Sequence, residues 1–135
     1  MNITRVPLAS LVPDPANARL HPERNLQSII DSLRRFGQAE PLVIQAGTNR
    51  IIAGNGRYAA MKVLGYTECD VVEIPVDDLT ATALGIAMNR TADLAEWDEP
   101  ALAQLLQNLQ AEDALEGVGF TSDGLSELLA GLTNE

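Results

Sequence analysis

The chain has 135 residues, a net charge of −10 and no apolar run near the ~20 residues a membrane span needs. That length fits one domain with an appended helical piece, and the first residues, Met1-Asn2-Ile3-Thr4-Arg5, lack a basic-then-apolar signal pattern. One cysteine, Cys69, excludes an internal disulfide and makes the cytoplasm the expected compartment.

The charge is unevenly spread. Residues 1–62 hold eight of the nine Lys and Arg against four acids, a net +4; residues 63–135 hold only Arg90 against fifteen acids, a net −14. The pattern suggests a ligand-facing basic half and a solvated acidic half. The +4 is too small for tight non-specific DNA binding, which needs several phosphate contacts.

In chain order, Ile3 to Leu8 alternates as a first strand, and Leu8 to Val12 reads as a short helical turn. Pro13-Asp14-Pro15-Ala16-Asn17-Ala18-Arg19 is a loop set by its prolines and turn-prone Asp and Asn. His21 has no partner at metal-ligand spacing and reads as a surface or capping residue. Leu26, Ile29, Ile30, Leu33 and Phe36 make one apolar helical face, closed by Gly37. Arg34 and Arg35 complement the dipole in its last turn. Pro41 to Gln45 and Arg50 to Ala53 are two strands expected to form a hairpin through Ala46-Gly47-Thr48-Asn49.

Gly54-Asn55-Gly56-Arg57 follows as a tight turn into a helix that stops at Gly65. Glycines let backbone N–H groups approach a ligand, the helix start carries partial positive charge, and Arg57 adds a full one. Together they favour a phosphate or carboxylate; an ordinary strand-to-helix turn is the structural alternative. Gly54-x-Gly56-x-x-Ala59 also matches a dinucleotide fingerprint, with Glu73 near a later strand end. Against that reading, the preceding strand pairs in a hairpin and no second set of βα units follows.

Cys69 to Pro75 is the next strand, with Cys69 a small buried hydrophobe. Asp77 or Asp78 caps a helix from Leu79 to about Asn89, with Asn89-Arg90 at its end. Trp97 precedes Asp98-Glu99-Pro100, a helix start, and Leu102, Leu105, Leu106 and Leu109 give that helix its apolar face. Gly117-Val118-Gly119-Phe120 is a hinge or turn. Ser122 caps a last helix carrying Leu125, Leu128, Leu129 and Leu132 inside. The acids Asp77-Asp78 and Glu96, Asp98 and Glu99 stand at predicted helix starts, where capping explains them better than metal binding. The ending Thr133-Asn134-Glu135 is what a piece of a longer protein would show.

Asn17-Ala18-Arg19, Phe36-Gly37-Gln38-Ala39-Glu40-Pro41-Leu42-Val43-Ile44, Ile51 to Ala60, Leu64-Gly65 and Asn89-Arg90 occur in one order and spacing. This set resembles the N-terminal domain of the ParB family, over roughly residues 3–95. The resemblance implies an α/β (α+β) fold: a small mixed sheet with packed helices, ParB/sulfiredoxin-like, as a domain over 1–95. A C-terminal acidic helical extension follows over 96–135. Ala95-Glu96-Trp97-Asp98 and Gly119-Phe120 resemble a phage and bacterial subgroup whose domain is often fused to, or encoded near, a DNA methyltransferase. No methyltransferase motif lies in these residues.

In partitioning members the motifs are implied to bind CTP with Mg2+, and relatives of this fold use ATP. Carried over by position, Gly54, Asn55, Gly56 and Arg57 would hold phosphates. Arg19, Gly37, Gln38, Pro41, Asn89 and Arg90 would complete the pocket, with Asn89 near the metal. The implied partners are a nucleotide, DNA, a methyltransferase and a second copy of the chain. This sequence departs from the family pattern in having Asn55-Gly56-Arg57 where acid-Arg-Arg is usual, and Met88 where an acid precedes Asn89. Losing that acid favours binding over turnover as nucleotide hydrolase, kinase or nuclease. A degenerate pocket in an interaction domain is the third reading. Sulfiredoxin chemistry needs a cysteine in the glycine turn, and position 55 is Asn. The acidic helices after Trp97 would be repelled by DNA phosphates.

Overall fold

The computed structural model describes residues 1–14 and 23–133. Four strands form one sheet: β1 (Ile3–Pro7), β2 (Leu42–Gln45), β3 (Ile51–Ala53) and β4 (Glu68–Ile74), in the order β1-β4-β2-β3. β1 runs antiparallel to β4, β4 parallel to β2, and β2 antiparallel to β3. The sheet is therefore mixed, as expected, and the expected hairpin is β2–β3. Its ladder pairs Val43 with Ala53 and Ile44 with Ile51, so Ile52 is the extra residue of a bulge. The parallel step between β2 and β4 requires a crossover, which β3 and helix α2 (Asn55–Leu64) provide.

One sheet face packs on α1 (Glu23–Phe36) and α2. Leu42, Ile44, Ile51, Cys69 and Val71 from the strands meet Ile30 and Leu33 of α1 and Ala60 and Met61 of α2. Each large apolar side chain buried there contributes about 1.5–3 kcal/mol. Val72 and Ile52 point to the other face and are buried too. α3 (Asp78–Leu94) runs over β3 on that side. Its Gly85 lies so close that a Cβ would sit 2.9 Å from the Ile52 carbonyl oxygen. Gly65 ends α2 in the left-handed region, with its N–H donating to Lys62 O and the Tyr66 N–H to Met61 O.

The acidic extension is α4 (Glu99–Ala111) and α5 (Ser122–Thr133). They share a small second cluster in which Ala103, Leu106 and Leu125 are buried. The Trp97 and Phe120 rings meet edge-on at 6.0 Å.

Several local expectations need correction. α3 continues through Asn89 and Arg90 to Leu94, because no glycine or proline stands between Asn89 and Leu94; Thr91 Oγ1 donates back to the Ala87 and Met88 carbonyls. Phe36, the last residue of α1, is exposed and stacks under the Arg35 guanidinium at 4.6 Å. In α4, Leu105 faces solvent and Ala103 turns inward. The cap of α5 is Thr121, whose Oγ1 accepts from Gly124 N, and not Ser122. β4 runs from Glu68 to Ile74, so Pro75 lies past the strand.

Candidate nucleotide site

The site begins where β3 turns into α2. Gly54 has φ 105°, a conformation that L side chains rarely adopt, and a Cβ there would stand 2.4 Å from Leu42 Cδ2. A side chain is thus excluded twice, by backbone and by space. The consequence is electrostatic: Gly54 is the N-cap of α2 and offers no side-chain acceptor. The first helical bond is Tyr58 N to Gly54 O, so the N–H groups of Asn55, Gly56 and Arg57 remain outside the helix ladder.

These residues line a cleft of about 710 Å3. Gly37, Gln38, Ala39 and Glu40 form one wall, Ser28 and Ser32 of α1 another, and Met88, Asn89 and Ala92 of α3 a third. Arg57 Nη1 donates to the Glu40 carbonyl oxygen at 3.1 Å and lies 3.4 Å from the Glu40 carboxylate. Its side chain is 26% exposed and that of Glu40 73%. An anion entering the cleft can therefore displace a mostly solvated carboxylate from a half-buried arginine, while the backbone bond keeps Arg57 in place.

Of the residues read from the sequence, Gly37, Gln38, Gly54, Asn55, Gly56, Arg57 and Asn89 converge on this cleft. Pro41 and Arg90 do not line it; Arg90 projects from the exposed side of α3. Arg19 and His21 lie outside the described residues. All four side chains among them already make hydrogen bonds within the fold. The Gln38 amide is paired to the β4 backbone: Nε2 donates to Asp70 O and Oε1 accepts from Asp70 N, both at 2.8 Å. It staples the loop after α1 to the sheet, so what it offers a ligand is mainly shape. Asn55 Oδ1 accepts from Asp14 N at 3.1 Å.

Asp14 opens a network that the sequence reading missed. Its carboxylate takes Arg50 Nε at 3.1 Å and Nη2 at 3.3 Å, and Arg50 Nη2 also donates to Thr82 Oγ1 at 2.7 Å. The two charged side chains are only 15% and 11% exposed, so the pair is strongly directional. It links the glycine turn, through Asn55, to the start of α3.

For a metal, the donors at the cleft are sparse. Asn89 Nδ2 donates to Gly85 O, and its Oδ1 takes no hydrogen bond among the described residues. No group of three or more His, Cys, Asp or Glu capable of holding an ion occurs among the described residues. A divalent cation here would need the ligand's own phosphates for most of its shell. Cys69 is buried on the core face of β4. Desolvation, then the Asp70 charge, push its thiol above the ordinary value, which makes it a poor nucleophile.

Comparison with known proteins places this geometry. The ParB N-terminal domain matches residues 1–90. The chain belongs to the ParB N-terminal domain family. Among curated relatives, a probable chromosome-partitioning protein ParB from Xylella fastidiosa (strain Temecula1) is 31% identical over 117 residues. That match takes in 79% of this chain and 37% of the relative, so the chain spans little more than a third of that protein. Among solved structures, C-terminally truncated ParB from Caulobacter crescentus complexed with CTP-γ-S superposes with a TM-score of 0.71. It is 20% identical, over 95% of this chain and 71% of the other. The same truncated protein bound to the centromeric parS site gives 0.54 at 18% identity, over 94% and 64%. Sulfiredoxin from Arabidopsis thaliana gives 0.53 at 21% identity, over 62% and 97%. These likenesses establish the ParB/sulfiredoxin fold.

Proposed function

We propose that the cleft binds a nucleoside triphosphate, with its phosphates on the Gly54–Arg57 turn, and that the domain is a nucleotide-responsive module of a DNA-processing system. The observation that carries this is the start of α2: three N–H groups without a side-chain cap, beside a half-buried arginine, in a cleft of about 710 Å3. The CTP-γ-S held by the Caulobacter relative supports CTP as first choice, with ATP second. Asn89 Oδ1 would offer one neutral oxygen to a Mg2+ ion that arrives with the nucleotide, where the ion would neutralise phosphate charge. The partition names of the relatives support DNA as a partner of the longer assembly, and a methyltransferase encoded nearby is the alternative client.

Binding is favoured over turnover. Met88 stands on the cleft wall beside Asn89, where a carboxylate could have served as base or second metal ligand. The test is calorimetric titration of the 135-residue protein with CTP, ATP and GTP, each with and without Mg2+, repeated on Arg57→Ala. Selective binding that the substitution abolishes supports the proposal. Silence for all three nucleotides with a folded protein would overturn it.

A further inference from the structure

The Gly117-Val118-Gly119 turn, a loop between α4 and α5, belongs to neither of the elements that carry the phosphate-binding turn. It nevertheless reaches the cleft: Gly117 and Val118 line it alongside Ser28 and Ser32 of α1. Arg35 holds the loop there. Its Nη1 donates to two backbone carbonyls of that loop, 79 and 81 residues away in sequence, Ala114 O at 2.7 Å and Glu116 O at 2.5 Å. Gly117 then presses on α1 so closely that a Cβ would stand 2.9 Å from Asp31 O, and its φ of +76° independently disfavours a side chain. A Cβ on Gly119, with φ +96°, would stand 3.4 Å from Ser28 Oγ. A two-carbonyl clamp and a close-packed glycine fix this contact more firmly than an incidental brush between surface loops.

We infer that the 117–119 turn is a working wall of the nucleotide cleft and that Arg35 is the positioning residue that holds it there, acting on bound nucleotide without touching it. The inference rests on the nucleotide reading of the cleft and extends it to a segment outside residues 1–90, the part matched by the ParB N-terminal domain. Arg35 does this through geometry and not charge. Its neighbour Arg34 bears the same charge but faces Asp31 at 3.6 Å and supplies no bond to the turn. Binding and docking are then coupled: a nucleotide that uses this wall tightens the loop, and loosening the loop weakens the nucleotide by the same factor.

The experiment is calorimetry of the full chain with CTP–Mg2+ and ATP–Mg2+, on wild type, Arg35→Ala, Arg35→Lys and Arg34→Ala. Amide hydrogen exchange of residues 114–120 is followed with and without nucleotide. The expected result is a roughly five- to tenfold weaker Kd in Arg35→Ala, partial recovery in Arg35→Lys and no change in Arg34→Ala. Nucleotide should slow exchange at 114–120 in wild type and less so in Arg35→Ala. Wild-type binding with an unchanged Kd in Arg35→Ala, or with exchange at 114–120 indifferent to nucleotide, overturns this inference alone. Absence of binding by wild type overturns the nucleotide reading, and this inference falls with it. If Arg35→Ala is poorly folded, Gly117→Ala decides in its place, with the same expected weakening and the same overturning result.

Discussion

The fold starts helices from strands in two ways, and the contrast separates scaffold from site. β4 passes into α3 through Asp77, whose carboxylate accepts from Thr80 N at 2.7 Å. β3 passes into α2 through Gly54, which has no acceptor to offer. Both junctions leave the same sheet, and both helices begin with orphan N–H groups. At Asp77 the chain neutralises its own helix start with its own charge. At Gly54 the chain places an arginine there and leaves the donors facing a cleft. Asp98 and Thr121 cap α4 and α5 in the Asp77 manner, with bonds to Ala101 N and Gly124 N. Self-satisfied helix starts hold the fold; the open one is available to an external anion.

The contrast is broken most severely by giving Gly54 a side chain. Gly54→Ala forces a Cβ against Leu42 and strains a φ of 105°, and should destabilise the protein by about 3 kcal/mol in urea denaturation. A cost near zero would mean that the turn relaxes freely and that its glycine is not required. Arg57→Ala should divide the two roles. Nucleotide affinity falls at least tenfold, about 1.4 kcal/mol, from loss of a charge-assisted bond. Urea stability should fall by less, since the arginine's bonds are to the Glu40 backbone and to a carboxylate that is mostly in water. Equal losses in both measurements would make Arg57 a structural residue. Asp98→Ala is the converse: about 1 kcal/mol of stability lost with the cap, and unchanged nucleotide affinity.

The sequence made the open junction legible for a physical reason. Glycines between an apolar run and a helical period can only be a tight turn, and a helix start has the same electrostatics wherever it occurs. The four strands and five helices among the described residues, and the β2–β3 hairpin, were legible in the same local way. What it hid is non-local. Nothing near Asp14 reveals that Arg50, 36 residues on, will fork it, nor near Gln38 that its amide will close on Asp70, 32 residues on. Arg35 shows the error most sharply. In the sequence it is a basic residue at a helix end, fully accounted for by the dipole. In the fold it clamps a loop 79 residues away. Helical period alone also misassigned Leu105, because α4 buries only a narrow stripe against α5 and one leucine at its margin stays in water.

The subtlest test of the contrast is a pH dependence at the capped junction. The hydrogen bonds from Thr80, side chain first and backbone second, hold the Asp77 carboxyl below its ordinary value of 3.8. A carboxylate depressed in the folded state binds its proton more readily in the unfolded chain. Its contribution is therefore complete above the unfolded value and is lost as pH falls through the lower, folded one. Asn in place of Asp can still accept the Thr80 bonds through its side-chain oxygen but cannot titrate. Asp77→Asn should thus fold with little change at neutral pH. It should show a shallower fall in urea midpoint than wild type as pH drops below about 4. Parallel acid profiles for the two proteins would mean that the cap works by shape alone, and that the charge at Asp77 does not distinguish this junction from the open one at Gly54.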